Sequence, residues 1–360
     1  MVVIMGVSTF TALHVENEGF WIPSSDINGL FFLNNENKLE YKCSFFGGES
    51  VSSWEICKVI KDKESLYAFS RRSFEYWKYD VKYNRVERQK YYSGKTGLLS
   101  NVEYVNNRVW IIPRDYNCPI LNIDLQNREV IEIPYTFDIS LGSSGITRTC
   151  IYKDKIYWLN RKEKNIYIFS LDCRNNSLKY NAFEDAQFVN CIDVYEDKLC
   201  ILYYSKDAQS ILCLMDINNY EILERINLTD TIKLPENDSL RYFKILYRNN
   251  KCFLFPVADE NIKIIYENTI EDIHAEEVNR NVQSAGIYNN DIQVEENKVF
   301  IYSPGGDSIK VLNLDSEEIN EEKIIVQTAY NDALKCQDYG NFIIKENKNI
   351  NMNDYIKMIK

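Results

Sequence analysis

A sequence pattern that returns at steps of 43 to 53 residues constrains the fold of this chain more than any other feature. In each copy a polar turn leads into a short apolar segment that contains an aromatic residue or a cysteine, as in Arg108–Pro113. The central residues of the seven apolar segments are Trp21, Tyr67, Trp110, Tyr157, Cys200, Phe253 and Phe300. A repeat of this length indicates an array of similar units, and its size is that of one propeller blade.

A second feature follows each apolar segment, where an alternating strand pattern ends in an acidic or amide residue. The residues at this place are Asn35, Asp80, Asp124, Asp172, Asp216, Glu267 and Asp315. Asp and Asn favour such a position because their side chains accept hydrogen bonds from nearby backbone amides and so open a turn. A polar pair ahead of most segments, such as Asn106-Asn107, predicts a tight hairpin. Each unit is therefore predicted to contain four short strands, which make one blade.

The predicted fold is an all-β, seven-bladed β-propeller that occupies residues 1–360 as a single domain. The predicted blades cover residues 8–46, 54–92, 101–135, 147–183, 190–228, 241–278 and 290–328. Segment 338–360 is predicted to close or cover the ring, with a short helix that Asn353 would cap. An eighth, incomplete blade in this segment is the alternative.

The apolar segments Ile156-Tyr157-Trp158 and Val109-Trp110-Ile111-Ile112-Pro113, each followed by a strand that ends in Asp, resemble those of Kelch-like and YWTD-like bacterial propellers. The resemblance covers nearly the whole chain and implies the propeller fold. The Gly-His and Trp-Asp dipeptides of WD40 blades and the recurring Gly-Gly pairs of true Kelch repeats are missing. No functional residue is therefore carried over from these families.

Charge and cysteine usage exclude several classes of function. The net charge of -11 argues against nonspecific nucleic-acid binding, which requires a basic surface. No window approaches the ~18 uninterrupted apolar residues of a membrane span, and the apolar start lacks the basic residues of a signal peptide. None of the ten cysteines forms a Cys-x-x-Cys pair. Buried free thiols in a cytoplasmic protein without a metal or another cofactor are the expectation.

Catalytic chemistry has few candidate residues. The two histidines, His14 and His274, stand in widely separated repeats, so neither a histidine metal site nor a Ser-His-Asp triad is expected. Acidic residues are abundant, but no pair of them stands out. Tyr76, Trp77, Tyr116 and Tyr203 lie near predicted loops or strands of the mouth, where they could stack on sugar rings or fill the spaces between blades.

The predicted ligand site is a set of basic residues in loops on one face of the propeller. These loops join the second strand to the third and the fourth strand to the next blade, and a rigid scaffold positions such loops for binding. The candidate ligand-binding residues are Arg71, Arg72, Lys95, Arg114, Tyr116, Arg148, Arg161 and Lys162, with Lys206 in the same class of loop. Loops of the first, sixth and seventh copies carry acidic residues instead, such as Asp259 and Asp307. Guanidinium groups bind carboxylate or phosphate through paired hydrogen bonds. Solvated loop residues with local partners, such as Arg114 with Asp115, are the alternative.

The leading hypothesis is therefore a cytoplasmic, non-enzymatic binding or scaffold propeller. Its loop face would hold a partner protein or an anionic small molecule, and neither nucleic acid nor a membrane is an expected partner. The alternative is an enzyme, a lyase or hydrolase, that acts on a carbohydrate or another anionic metabolite in the channel mouth. A lectin with one site per blade is disfavoured because the loops do not repeat their residues.

Overall fold

The structure is a computed structural model that describes residues 13–24, 29–44, 56–70, 74–93, 100–113, 118–135, 149–162, 165–236, 242–256, 261–267, 269–274, 291–302 and 308–323. These residues form seven antiparallel sheets, each with four strands in chain order. The fold is that of an all-β, seven-bladed propeller, as the repeat predicts. The predicted closing segment and helix at 338–360 lie outside the described residues. The single-domain assignment stays a prediction.

The sheets belong to two compact units, and each sheet is one blade, numbered along the chain. Unit 1 comprises residues 1–96 and 280–360. Blade 1 contains β1 (Leu13–Val15), β2 (Gly19–Ser24), β3 (Gly29–Asn34) and β4 (Leu39–Ser44). Blade 2 contains β5 (Ile56–Asp62), β6 (Ser65–Ser70), β7 (Glu75–Asp80) and β8 (Arg85–Lys90). Blade 7 contains β25 (Asp291–Glu295), β26 (Lys298–Tyr302), β27 (Ser308–Asn313) and β28 (Ile319–Lys323).

Unit 2 comprises residues 97–279 and holds the other four blades. Blade 3 contains β9 (Ser100–Val105), β10 (Arg108–Pro113), β11 (Ile120–Asp124) and β12 (Glu129–Ile133). Blade 4 contains β13 (Cys150–Tyr152), β14 (Lys155–Lys162), β15 (Asn165–Asp172) and β16 (Ser177–Phe183). Blade 5 contains β17 (Ala186–Tyr195), β18 (Lys198–Ser205), β19 (Ser210–Asp216) and β20 (Ile222–Asn227). Blade 6 contains β21 (Tyr242–Arg248), β22 (Lys251–Pro256), β23 (Asn261–Tyr266) and β24 (Thr269–His274).

In blades 2 to 7, two-residue hairpins join the first strand to the second. In Asn106-Asn107, Glu196-Asp197 and Asn249-Asn250 both residues have a positive φ, between 50° and 59°. This backbone is that of a type I′ turn, whose twist matches the twist of the flanking strands, and Asn adopts it more readily than most residues. We call this end of each blade the hairpin end. The opposite end, where the second strand leads into the third, is the loop end.

Side chains also fix the turn between the third and fourth strands. Asp124 and Asp216 each accept hydrogen bonds from two backbone amides that follow them, as the sequence predicts. In blades 1 and 7 the predicted residues are wrong. Asn34, one residue before Asn35, accepts the amides in blade 1, and Asn313, two residues before Asp315, does so in blade 7.

In blade 6 the predicted turn residue, Glu267, is also not the last residue of the strand. The third strand ends at Tyr266, which pairs with Thr269, and Glu267 lies in the turn with a φ of 53°.

The core lies between neighbouring sheets. Blades 3 and 4 pack through a cluster that includes Trp110, Trp158 and Phe169, and blades 5 and 6 pack through one that includes Cys200 and Leu254. Within unit 1, the ring of Phe20 in blade 1 meets that of Phe300 in blade 7, with centroids 5.2 Å apart. The fourth strands are the most exposed, as the mixed polar sequence of β8 and β20 requires.

Candidate functional site

Most of the predicted ligand-binding residues cannot be located in the structure. Arg71, Arg72, Lys95, Arg114, Tyr116 and Arg148 lie outside the described residues. The backbone of Arg161 and Lys162 is described at the end of β14, where they pair with Ile166 and Asn165 at the loop end of blade 4. Their side chains are outside the description. The proposed grouping of these eight residues stays a prediction.

The loop end of blade 5 is described, and it contains the loop predicted to hold Lys206. β18 ends at Ser205, whose backbone amide donates to the carbonyl of Gln209 at 2.8 Å. Lys206 follows with an exposed side chain, and its amide donates to the carbonyl of Asp185 at 3.0 Å. The connection from blade 4, Glu184-Asp185, is thus tied to this loop. The backbone of the loop is fixed while the ammonium group of Lys206 faces solvent.

The carboxylate of Asp185 organises the side chains at the same end. Its Oδ2 accepts a hydrogen bond from the hydroxyl of Tyr203 and lies 3.0 Å from Nη2 of Arg225. Burial raises the pKa of Tyr203 far above its usual value, and the hydrogen bond to Asp185 raises it further. The side chain of Arg225 keeps 44% of its surface exposed. We call Asp185, Tyr203, Lys206 and Arg225 the blade-5 cluster.

Two further carboxylates lie on first strands and face the next blade. Glu103 stands opposite Trp110 in blade 3, and Asp193 stands opposite Cys200 in blade 5, so the two positions are equivalent. Both residues are buried. A buried carboxylate needs hydrogen-bond partners because its transfer from water is costly.

The partners of these carboxylates come from the neighbouring blade. Glu103 accepts a hydrogen bond from the hydroxyl of Thr149. Oδ2 of Asp193 accepts from the backbone amide of Tyr247 at 2.9 Å and from Nη1 of Arg248 at 2.7 Å. These bonds join blade 3 to blade 4 and blade 5 to blade 6. Both carboxylates therefore stabilise the packing of neighbouring blades in unit 2.

Sequence reasoning missed Asp185, Asp193, Arg225 and Arg248. Asp193 and Glu103 left a detectable signal, because each is an acidic residue inside an apolar strand, three residues before the hairpin. Asp185 stands in the two-residue connection between β16 and β17. Arg225 lies on a fourth strand whose residues are almost all exposed, so a charged residue there has no distinctive signal in the sequence.

The aromatic residues proposed to stack on sugar rings are interior residues where they are described. Tyr76, Trp77 and Tyr203 are 4%, 2% and 0% exposed. Trp77 packs between blades 1 and 2, and Tyr203 packs on Phe183 with ring centroids 5.0 Å apart. The alternative interpretation, that these rings fill the interior, is the one the structure favours.

The described histidine and thiol groups show ordinary structural roles. His274 is exposed on β24, where its Nδ1 lies 2.9 Å from Oδ1 of Asn261. The eight cysteines whose side chains are described are buried and form no disulfide, and burial raises the pKa of the Cys213 thiol to about 11. Within the described ranges, no three His, Cys, Asp or Glu side chains are grouped to hold a metal ion. The same residues include no helix long and apolar enough to cross a membrane.

Comparison with known proteins identifies solved structures with a similar fold but does not assign the chain to a family. No protein-family model matches the chain, and neither does any curated protein. A catalytically inactive variant of virginiamycin B lyase from Staphylococcus aureus, solved with quinupristin, matches 88% of this chain and 99% of its own with a TM-score of 0.54 at 11% identity.

Two other solved structures are similar. PorZ, a surface component of the type-IX secretion system of Porphyromonas gingivalis, matches 90% of this chain over 39% of its own, with a TM-score of 0.51 at 15% identity. A computationally designed protein matches 90% of both chains with a TM-score of 0.50 at 10% identity. The chain is a β-propeller. At these identities the likeness extends to the fold alone, and the Kelch-like and bacterial assignments stay predictions.

Proposed function

We propose that the chain is a cytoplasmic, non-enzymatic binding propeller whose loop end in unit 2 holds a carboxylate or phosphate group. That group would belong to a small anionic molecule or to an acidic segment of a partner protein. The observation that carries this proposal is the pair of exposed cations at the loop end of blade 5, Lys206 and Arg225. Both stand beside a fixed backbone, which lowers the entropy lost when a ligand binds.

The hydrogen-bonding capacity of Arg225 supports an anion site. A guanidinium group has five N–H donors, and the contact with Asp185 runs through Nη2. The hydroxyl of Tyr203 also donates to Oδ2 of Asp185 and offsets part of its negative charge. Donors of Arg225 therefore remain for an incoming oxyanion, and Lys206 adds a second positive charge.

The sequence supplies further cations in the same class of loops. Arg161 and Lys162 end β14 opposite the start of β15, and Ile166 pairs with both Arg161 and Phe183, two residues before Asp185. The backbone of blade 4 therefore brings these two residues to the loop end that borders the blade-5 cluster. Arg114 and Arg148 stand in the corresponding loop segments of the sequence.

The cysteines support the cytoplasmic assignment. The eight whose side chains the structure describes are buried and form no disulfide, and disulfides are rare where the compartment is reducing.

A thermal-shift experiment tests the anion site. The double variant Lys206→Glu, Arg225→Gln is compared with the matched pair Lys179→Glu, Arg128→Gln, which makes the same charge change at exposed sites away from the blade-5 cluster. Each protein is heated with citrate, inositol hexakisphosphate, a poly-glutamate peptide or the neutral sugar glucose. A ligand at one hundred times its Kd adds about 2.7 kcal/mol to the free energy of unfolding.

Stabilisation of the wild type and of the control pair, but not of the Lys206/Arg225 variant, supports the site. A response to small anions indicates a metabolite, and a response to the peptide alone indicates a partner protein. Equal shifts in both variants, or none in the wild type, contradict the proposal. The alternative of a lyase or hydrolase is tested on any stabilising compound by following its breakdown with the enzyme in catalytic amount.

A further inference from the structure

Two cysteines face each other across the contact between blades 5 and 6, in unit 2. Cys200 lies on β18 and Cys252 lies on β22, and their sulfur atoms are 3.5 Å apart. The two residues are 0% and 3% exposed and belong to one apolar cluster. Either thiol can donate a weak hydrogen bond to the other, so the two sulfur atoms are in direct contact.

The other repeats have no cysteine at either of these two places. The equivalents of Cys200 are the aromatic residues at the centres of the other six apolar segments. The place of Cys252, one residue before the centre, is held in the other copies by Phe20, Leu66, Val109, Ile156, Leu199 and Val299. In the contact between blades 3 and 4, for example, Trp110 and Ile156 belong to one cluster. Two thiols therefore replace a ring and an aliphatic side chain together, on facing blades.

A hydrogen bond fixes the two sheets beside the sulfur atoms. Asp193 is the cross-strand partner of Cys200, and Tyr247 is the cross-strand partner of Cys252. Oδ2 of Asp193 accepts from the amide of Tyr247 at 2.9 Å, so blade 5 is tied to blade 6 in the same layer as the thiols. An S–S bond is about 2.05 Å long, so the two sulfur atoms need to approach by about 1.5 Å to form one.

We propose that Cys200 and Cys252 are a redox-sensitive pair that a hydroperoxide converts into a disulfide, which joins blade 5 covalently to blade 6. Disulfides that form in a reducing compartment are usually transient and serve redox sensing or catalysis. The pair is a dithiol at rest, and a rise in peroxide closes the link. This inference does not depend on the proposed anion site, whose residues it does not use.

The reaction has two steps and consumes one molecule of hydrogen peroxide. The thiolate of one cysteine attacks an oxygen of the peroxide, so an S–O bond forms, the O–O bond breaks, and the hydroxide that leaves takes up a proton to become water. The second thiolate attacks the sulfur of the resulting sulfenic acid, so the S–S bond forms and the S–O bond breaks, which releases a second water. The two sulfur atoms lose two electrons, which reduce the peroxide.

The burial of the pair controls how fast this reaction proceeds. Burial raises the pKa of the Cys200 thiol well above its usual value, and the thiolate is the form that reacts. Oxidation therefore proceeds through local opening of the contact between the two blades. The same burial shields the disulfide from reductants once the contact has closed again.

Mass spectrometry of the oxidised chain tests the link. The folded full chain is incubated with hydrogen peroxide, its remaining thiols are alkylated with iodoacetamide during unfolding, and it is digested with trypsin. Cys191 belongs to the same cluster and is the competing partner. Cleavage after Lys and Arg places Cys191, Cys200 and Cys252 in three different peptides, residues 180–198, 199–206 and 252–263. Each possible pair therefore gives a product with its own mass.

The test uses two variants and a matched control. Cys200→Ala and Cys252→Ala each remove one member of the pair. Cys213→Ala is the control, because it removes another fully buried thiol of blade 5 that belongs to a different cluster. Urea denaturation of each protein, before and after oxidation, measures the effect of the link on stability.

The expected result is a product that links peptides 199–206 and 252–263 in the wild type and in Cys213→Ala, and that dithiothreitol removes. The disulfide joins residues 52 positions apart and so restricts the unfolded chain, which should raise the urea midpoint of both proteins by about 0.5 M or more. Cys200→Ala and Cys252→Ala should show neither the product nor the rise. The proposal is overturned if peroxide leaves the two peptides unlinked, if Cys191 is the main partner of either cysteine, or if the link forms without a rise in the urea midpoint.

Discussion

The contact between blades 3 and 4 and the contact between blades 5 and 6 use equivalent positions but different chemistry. Trp110 pairs across its hairpin with Glu103, and Cys200 pairs with Asp193 in the same register. Each of these residues belongs to a cluster shared with the following blade or makes hydrogen bonds to it. The backbone frame is therefore the same in both contacts, and only the side chains differ.

The contact between blades 3 and 4 is aromatic. Trp110 and Trp158 are fully buried, and the ring of Trp158 stacks on Phe169 at 5.2 Å. The hydroxyl of Tyr135 accepts hydrogen bonds from Nε1 of Trp158 at 3.4 Å and from Nδ2 of Asn160 at 2.6 Å. Large apolar area, these neutral hydrogen bonds and the bond from Thr149 to the Glu103 carboxylate hold this contact together.

The contact between blades 5 and 6 combines small apolar side chains with an ion pair. The sulfur atoms of Cys200 and Cys252 are 3.5 Å apart, and Cys191 belongs to the same cluster. The Asp193 carboxylate bonds to Arg248, whose side chain is only 17% exposed. A position that holds tryptophan in one blade can thus hold a thiol in another, provided that other groups join the neighbouring sheets.

The largest difference is expected when the equivalent central residues are truncated. Trp110→Ala should lower the free energy of unfolding by about 4 kcal/mol, because it opens a cavity and leaves the carbonyl of Val105 without the indole donor. Cys200→Ala should lower it by about 1 kcal/mol, because little volume is removed. Urea denaturation of the full chain measures both values.

Trp110→Phe is the control for this pair of variants, since it keeps an aromatic ring and should fall between the wild type and Trp110→Ala. Equal losses of unfolding free energy in Trp110→Ala and Cys200→Ala would contradict this difference between the two contacts.

Neutralising the two carboxylates should give the opposite ranking. The contact between blades 5 and 6 should then lose more stability than the contact between blades 3 and 4. Asp193→Asn leaves the largely buried guanidinium of Arg248, 17% exposed, without its counter-ion and should cost about 2–3 kcal/mol. Glu103→Gln keeps an oxygen that accepts the bond from Thr149 and should cost less than about 1 kcal/mol. The same urea titration applies. A larger loss in Glu103→Gln would mean that the charge of Glu103, and not only its acceptor, supports blades 3 and 4.

The sequence predicted the features of the fold that depend on neighbouring residues. The repeat period, the hairpins and the Asp-mediated turns are local, so alternation and turn chemistry reveal them. The errors at Asn35 and Asp315 have a local cause as well. Asn34 and Asn35 are both amides, and in blade 7 Asn313 lies only two residues before Asp315. Composition alone does not tell which residue pairs last in the strand.

The candidate site was less predictable because its contacts join distant segments. Asp193 and Arg248 are 55 residues apart and belong to different blades. Arg225 on β20 forms an ion pair with Asp185, which lies in the connection between β16 and β17. Such pairs depend on how one sheet packs on the next, which the repeat pattern does not encode. The charges of the loops could be read from the sequence, but the partners of those charges could not.

The smallest effect is expected at the hairpins of blades 3 and 6. Asn107 and Asn250 both have a φ near 58°, where glycine has no steric cost. Asn107 is exposed, so Asn107→Gly should raise the free energy of unfolding by about 0.5 kcal/mol.

In blade 6, Oδ1 of Asn250 accepts hydrogen bonds from the hydroxyl of Tyr247 at 3.0 Å and from Nζ of Lys198 in blade 5 at 3.5 Å. Asn250→Gly loses both contacts, so its gain should vanish or change sign. Equal stabilisation by the two substitutions in urea denaturation would show that Asn250 adds nothing to the contact between blades 5 and 6, and that the ion pair and the thiols act there without the hairpin.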